Sequence, residues 1–176
     1  DLVALYFYQS QLAKAIPFYS EALNIQKEIL GDKHPDTVTT TNNLANLYGD
    51  QGQIAKAEPL YLEALQIHKE TLGNKHPDTA TSINNLAMLY QDQGQYAKAE
   101  PLYLEALKIR REALGNKHSK THNTIIDLGR LYLNQKEYAK SEPLLIEALK
   151  LNREIEGNKH PDTAGSLVDL GNLYFN

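Results

Sequence analysis

The sequence predicts an all-α protein built as a stack of helix pairs, and three observations carry that expectation. His34, His76, His118 and His160 recur at a fixed step of 42 residues, as do Tyr6, Tyr48, Tyr90, Tyr132 and Tyr174. A constant step of this size marks a repeat architecture in which each unit buries its apolar face only against its neighbours. Each repeat also contains two stretches of apolar residues at helical spacing, and single glycines recur between them and after them.

The repeat running from His34 shows how the elements follow from the residues. From Thr37 to Tyr48, Leu44, Ala45, Leu47 and Tyr48 present one apolar side. Pro35 suits the first helical position, where the missing N–H would be unpaired anyway, and Asp36 in the first turn complements the positive end of the helix. Alternatively, Asp36 itself is the cap. Gly49-Asp50-Gln51-Gly52 ends this helix, and Gly94 repeats the role of Gly52. Ser10 and Lys136 stand at the same register, so positive φ there is not expected to be an absolute requirement.

The second helix is expected from about Gln53 to Leu72, with Ile54, Ala57, Leu60, Tyr61, Ala64, Leu65 and Ile67 as its apolar face. Gly73, like Gly31, Gly115 and Gly157, reads as a left-handed cap residue. Pro59 recurs as Pro17, Pro101 and Pro143. A proline inside a helix removes one backbone bond at a cost of about 3 kcal/mol, so a bend near the helix start is expected, or a regular portion beginning near Lys56. Along the chain this gives one repeat array over residues 1–176: a truncated first unit (1–33), complete units at 34–75, 76–117 and 118–159, and a partial unit at 160–176. In the first unit, Leu2 to Tyr8 is expected to be the remnant of a first helix and Gln11 to Leu30 its partner. Both ends read as cut from a longer array, with Leu167, Leu170, Leu173, Tyr174 and Phe175 forming an apolar end.

Composition narrows the function. Hydrophobic residues make up 41%, enough for a continuous core, yet no apolar run is long enough to span a bilayer. A net charge of -4 offers no general attraction to nucleic acid or anionic lipid. The absence of cysteine excludes disulfides and thiolate chemistry, and fits a reducing, cytoplasmic setting.

At this point the residues carry a resemblance. Leu44, Ala45, Tyr48, Ala57, Tyr61 and Ala64 are similar to the pattern of the tetratricopeptide repeat, whose usual period is 34. The longer form, HPDTATSINNLAMLYQDQGQYAKAEPLYLEAL at 76–107, resembles kinesin light chain and nephrocystin-like repeat proteins. The resemblance implies a right-handed superhelix whose first helices line a concave groove, and a scaffold or cargo-adaptor role. On that register the groove residues are Thr39, Asn42, Asn43, Asn46 and Asp50, then Thr81, Asn84, Asn85, Met88 and Asp92. Asn123, Ile126, Asp127, Arg130 and Asn134 follow, and then Val168, Asp169 and Asn172.

An independent physical argument supports the asparagines. Asn is a mediocre helix former, so consecutive mid-helix Asn is not explained by propensity. Its carboxamide both donates and accepts, and can pair with the backbone of an extended peptide. The competing expectation is that these amides bond between repeats. Arg130, at the register of Asn46 and Met88, is the best candidate for reading a carboxylate, with a salt bridge to Asp127 or another local acid as the competing role. The basic set by which chaperone-tail binders of this family grip a terminal carboxylate is absent: Thr39, Asn42, Asn43, Thr81, Asn84 and Asn85 occupy those places.

No catalytic, cofactor or metal site is expected. The four periodic histidines lie in separate repeats and suit helix starts, and His118 with His122 lacks a third ligand. His68, replaced by Arg110 one repeat on, is assigned to the surface of the outer helix. Glu21, Glu63, Glu105 and Glu147, and likewise Glu58, Glu100 and Glu142, recur as a solvated edge or as interhelical pairs rather than as a catalytic dyad. The expected function is therefore non-enzymatic: binding of an extended peptide in the groove. The alternative is self-association through the repeat ends, predicting contacts at Leu2 to Tyr8 and Leu167 to Phe175.

Overall fold

The computed structural model describes residues 2–175, with side chains from residue 11 onward. Among these residues there are eight helices and no strand: α1 Leu2–Leu30, α2 Pro35–Asp50, α3 Ile54–Leu72, α4 Pro77–Asp92, α5 Tyr96–Leu114, α6 Ser119–Asn134, α7 Tyr138–Ile155 and α8 Pro161–Phe175. They divide into two bodies, residues 1–74 and residues 75–176. In the first, α2 packs on both α1 and α3; in the second, each helix from α4 to α8 packs on the next, and α6 also touches α4 and α8. No described helix is long and apolar enough to cross a membrane.

The first helices α2, α4, α6 and α8 start in the same way. His34, His76 and His118 are N-cap residues in extended conformation, and the Nδ1 of each accepts the N–H two residues on, at 3.1–3.2 Å. His160 does the same for Asp162 at 3.3 Å. Imidazole nitrogen here serves as the acceptor that Ser or Asp usually supplies. Pro35 follows as the first helical residue, as expected, and Asp36 lies in the first turn rather than at the cap.

The turns depart from the sequence reading. Gly52 and Gly94 have φ of 69° and 68°, and Lys136, where glycine is missing, still adopts φ 61°. Positive φ is thus retained in that turn even against the steric cost that a Cβ imposes. At Ser10 the turn is lost altogether, and the expected short helix and its partner are one continuous helix, α1. Gly73 and Gly115 are likewise not left-handed caps, having φ 87° with ψ 165° and φ 81° with ψ 168°. That region is essentially restricted to glycine. α3, α5 and α7 each begin before their proline and contain it, so a regular portion starting only near Lys56 is not what forms.

Small residues set the helix spacing. Ala57 and Ala64 in α3, and Ala99 and Ala106 in α5, are fully buried. Val38 clusters with Ala64 and Ile67 in the first body, while Leu145 and Leu149 of α7 cluster with Leu170 and Leu173 of α8 in the second. The apolar end expected at the C-terminus is therefore half interior. Leu170 and Leu173 are core, whereas Leu167, Tyr174 and Phe175 are exposed. Lys56, Lys98 and Lys140 lie over the rings of Tyr48, Tyr90 and Tyr132 at 4.9–5.1 Å, as cation–π contacts. The periodic glutamates form inter-repeat bonds: Lys27 to Glu63 at 2.5 Å, Arg111 to Glu147 at 2.8 Å, and the hydroxyls of Tyr132 and Tyr174 donating to Glu100 and Glu142.

Candidate functional site

Within the second body, α4 and α6 open onto a cavity of about 370 Å³. Asn84, Asn85 and Met88 line it from α4, Lys120, Asn123, Ile126, Asp127 and Arg130 from α6, and Arg110 from α5. The spacings of three, four and seven residues put each helix's contributions on one face. Seven of the residues expected to face a groove thus come together here.

Arg110 is not among the residues that the sequence points to. Its register reads as outer surface, yet it is only 4% exposed and forms the floor of the cavity. One terminal guanidinium nitrogen donates to Asn84 Oδ1 at 3.2 Å, to the Lys120 carbonyl at 2.9 Å and to Thr124 Oγ1; the other donates to Thr81 Oγ1 at 3.2 Å. Its position on the second helix lies inward between repeats, next to the buried Ile109. One repeat on, Asn152 does the same work, bonding the Asp162 carbonyl and Ser166 Oγ at 2.9 Å. A signal was present in the sequence: Gln26, His68, Arg110 and Asn152 hold one register, all polar, beside buried aliphatics such as Ile67, Ile109 and Leu151.

The two exposed cations of the cavity are already paired. Arg130 binds Asp169 of α8 through Nε and a terminal nitrogen at 2.9–3.1 Å, and Lys120 pairs with Asp78 at 3.1 Å. Burial pushes the Asp127 carboxyl above the usual carboxylate range, partly offset by the Asn84 bond and by Arg130 and Arg110 nearby. Burial likewise lowers the Arg110 guanidinium, with Asp127 and Asp78 opposing. Asp127 Oδ2 accepts from Asn84 Nδ2 at 3.2 Å. Its other oxygen, and the carboxamides of Asn85 and Asn123, have no hydrogen-bond partner among the described residues.

Not every expected groove residue is open to the cavity. Asn84 is buried and committed between helices, and Asp169 is buried under Arg130. Thr81 is half-buried and donates to the Pro77 carbonyl. Asp92, Asn134, Val168 and Asn172 are exposed. On α2 of the first body, Thr39 donates to the Pro35 carbonyl, Asn42 to the Val38 carbonyl, and Asn46 accepts from the Tyr61 hydroxyl. Asn43 is half-buried and Asp50 exposed. No group of three or more His, Cys, Asp or Glu able to hold a metal occurs among the described residues. His118 caps α6, whereas His122 is buried with Nε2 3.2 Å from the Ala148 carbonyl.

The model of the tetratricopeptide repeat matches residues 1–70, 38–112, 78–140 and 120–175. The chain belongs to the tetratricopeptide repeat family. No curated protein matches it. Among solved structures, this tetratricopeptide repeat chain is similar to BtubC (BKLC) from P. vanneervenii, at 28% identity and a TM-score of 0.81, covering 94% of this chain and 66% of that one. A protein from Podosopora anserina named as a kinesin light chain, with nearly identical TPR-like repeats, is 25% identical with a TM-score of 0.79, covering 98% and 82%. The apo form of RapI shares the fold at 21% identity and a TM-score of 0.74, covering 96% of this chain and 45% of RapI. The chain thus spans about two thirds of BtubC and under half of RapI.

Proposed function

We propose that this tetratricopeptide repeat chain is a protein-interaction module that holds an extended peptide segment across α4 and α6. The observation that carries the reading is the set of uncommitted carboxamides, Asn85 and Asn123, lining one cavity with the apolar Met88 and Ile126. Carboxamides can satisfy a peptide backbone whatever its side chains, while the apolar pair rewards burial of a side chain between them. Preformed helices limit the ordering cost to the incoming segment. On α2, Thr39 and Asn43 hold the matching registers and form the corresponding face of the first body. By likeness to kinesin light chain-type structures, the role is that of a cargo adaptor.

The test is recovery of a partner from native extract with the wild-type chain, followed by competition with Asn85→Ala/Ile126→Ala. Loss of competition at unchanged helicity supports the reading, and equal competition by the variant ends it. A second reading, self-association, is favoured by the exposure of Leu167, Val168, Tyr174 and Phe175 on α8; its counterpart at Leu2 to Tyr8 lies outside the described side chains. It predicts that Val168→Lys/Phe175→Lys reduces oligomer size in solution while leaving peptide capture intact.

A further inference from the structure

We infer that the cavity between α4 and α6 selects an uncharged hydrogen-bond donor, best met by a Gln or Asn side chain of the bound segment, and discriminates against an acidic one. This rests on the reading that the cavity takes a peptide, and it follows from how the polar groups there are already used.

Arginine can only donate, so the Arg110 bond fixes Asn84 Oδ1 toward α5. The Asn84 amide nitrogen is thereby turned to Asp127 Oδ2. That leaves the other Asp127 oxygen as an acceptor for the ligand, next to carboxamides at Asn85 and Asn123 that can donate to a ligand carbonyl. A primary carboxamide matches this pair, with N–H toward Asp127 and C=O toward an asparagine. An acidic side chain would meet the Asp127 carboxylate directly. It would also find the exposed cations engaged, because Arg130 is held by Asp169 and Lys120 by Asp78. A ligand carboxylate would lose hydration, and the remaining cation, Arg110, is buried with its terminal nitrogens already bonded to Asn84, Thr81, Thr124 and the Lys120 carbonyl. A basic side chain is disfavoured in turn, because Arg110 and Arg130 line the cavity close enough to Asp127 to offset its charge already.

The experiment uses three random-sequence peptide pools that share one fixed central residue, Asp, Gln or Arg, applied to the immobilised full chain at neutral pH. The expected result is severalfold higher retention of the Gln pool than of either charged pool. Asp169→Asn releases Arg130 and should swing retention toward the Asp pool. Asp127→Asn should do the same by an independent route: residue 127 would then turn its carbonyl to Asn84 and present N–H groups to the cavity. Each variant is checked for native helicity, and either one suffices should the other fold poorly. Preference of the wild-type chain for the Asp or Arg pool overturns the inference while leaving groove binding standing. So does an unchanged preference in a folded variant. Failure of every pool to bind overturns both.

Discussion

Arg110 donates to Asn84 Oδ1 at 3.2 Å across the α4–α5 interface, and through that bond a buried cation on one helix sets the orientation of an amide on another. The same guanidinium bonds Thr124 and the Lys120 carbonyl on α6, so three helices share one polar anchor.

Removing that anchor should be costly. Arg110→Ala removes the charged donor shared by Asn84 Oδ1, the Lys120 carbonyl and Thr81 Oγ1, leaving the Thr124 hydroxyl to serve only one of the first two at a time, and opens space, so about 2–4 kcal/mol of stability should be lost. Arg110→Lys should recover only part of this, because an ammonium cannot reproduce the forked geometry. Urea denaturation of both variants measures the difference, with the midpoint moving at unchanged slope.

The histidine caps predict a substitution pattern. His76→Ala should destabilise by about 1 kcal/mol, whereas His76→Asn, which keeps a side-chain acceptor for the Asp78 N–H, should be close to neutral. Thermal unfolding of the pair distinguishes capping from a side chain that is merely solvated, which would leave both unchanged.

Lys136 holds a positive φ that glycine holds in the preceding repeats. Lys136→Gly is therefore expected to stabilise by about 1 kcal/mol, and Gly94→Ala to destabilise by about as much. Opposite signs in the two denaturation midpoints are the outcome to look for.

Burial first, and then the bond to Glu100, pushes the Tyr132 phenol up to about 12. The folded value lies above that of a free tyrosine, about 10. The group therefore contributes stability that is fully present below pH of about 10 and is lost as pH rises through 12. The stability difference between wild type and Tyr132→Phe should accordingly shrink across that window. Urea denaturation of both proteins at neutral and strongly alkaline pH measures it.

Much of the architecture was legible because it is local. The step from His34 to His76, the apolar spacing of Leu44 and Tyr48 and the prolines at helix starts are short-range features, and they define helix pairs before any packing is known. The same periodicity misleads where a residue departs from it. Ser10 reads as a tolerated replacement for glycine, yet the turn it should make is absent, while Lys136 keeps the turn's backbone without a glycine. Polar residues are harder still. Asn84 and Asn85 are adjacent and identical in type, but a helix turns about 100° between them, so one carboxamide is bound between helices and the other faces the cavity.

The sequence alone determined the helix-pair repeat, its period, its helix starts and the aliphatic interior, because each depends on contacts within a repeat or on a pattern copied from one repeat to the next. Tertiary structure alone decided that Arg110 is interior, that Arg130 is bound by Asp169, and that Asp127 has an oxygen to spare. Those facts depend on side chains from different repeats meeting across an interface, and the reach and geometry of each hydrogen bond settle which partner a polar group takes.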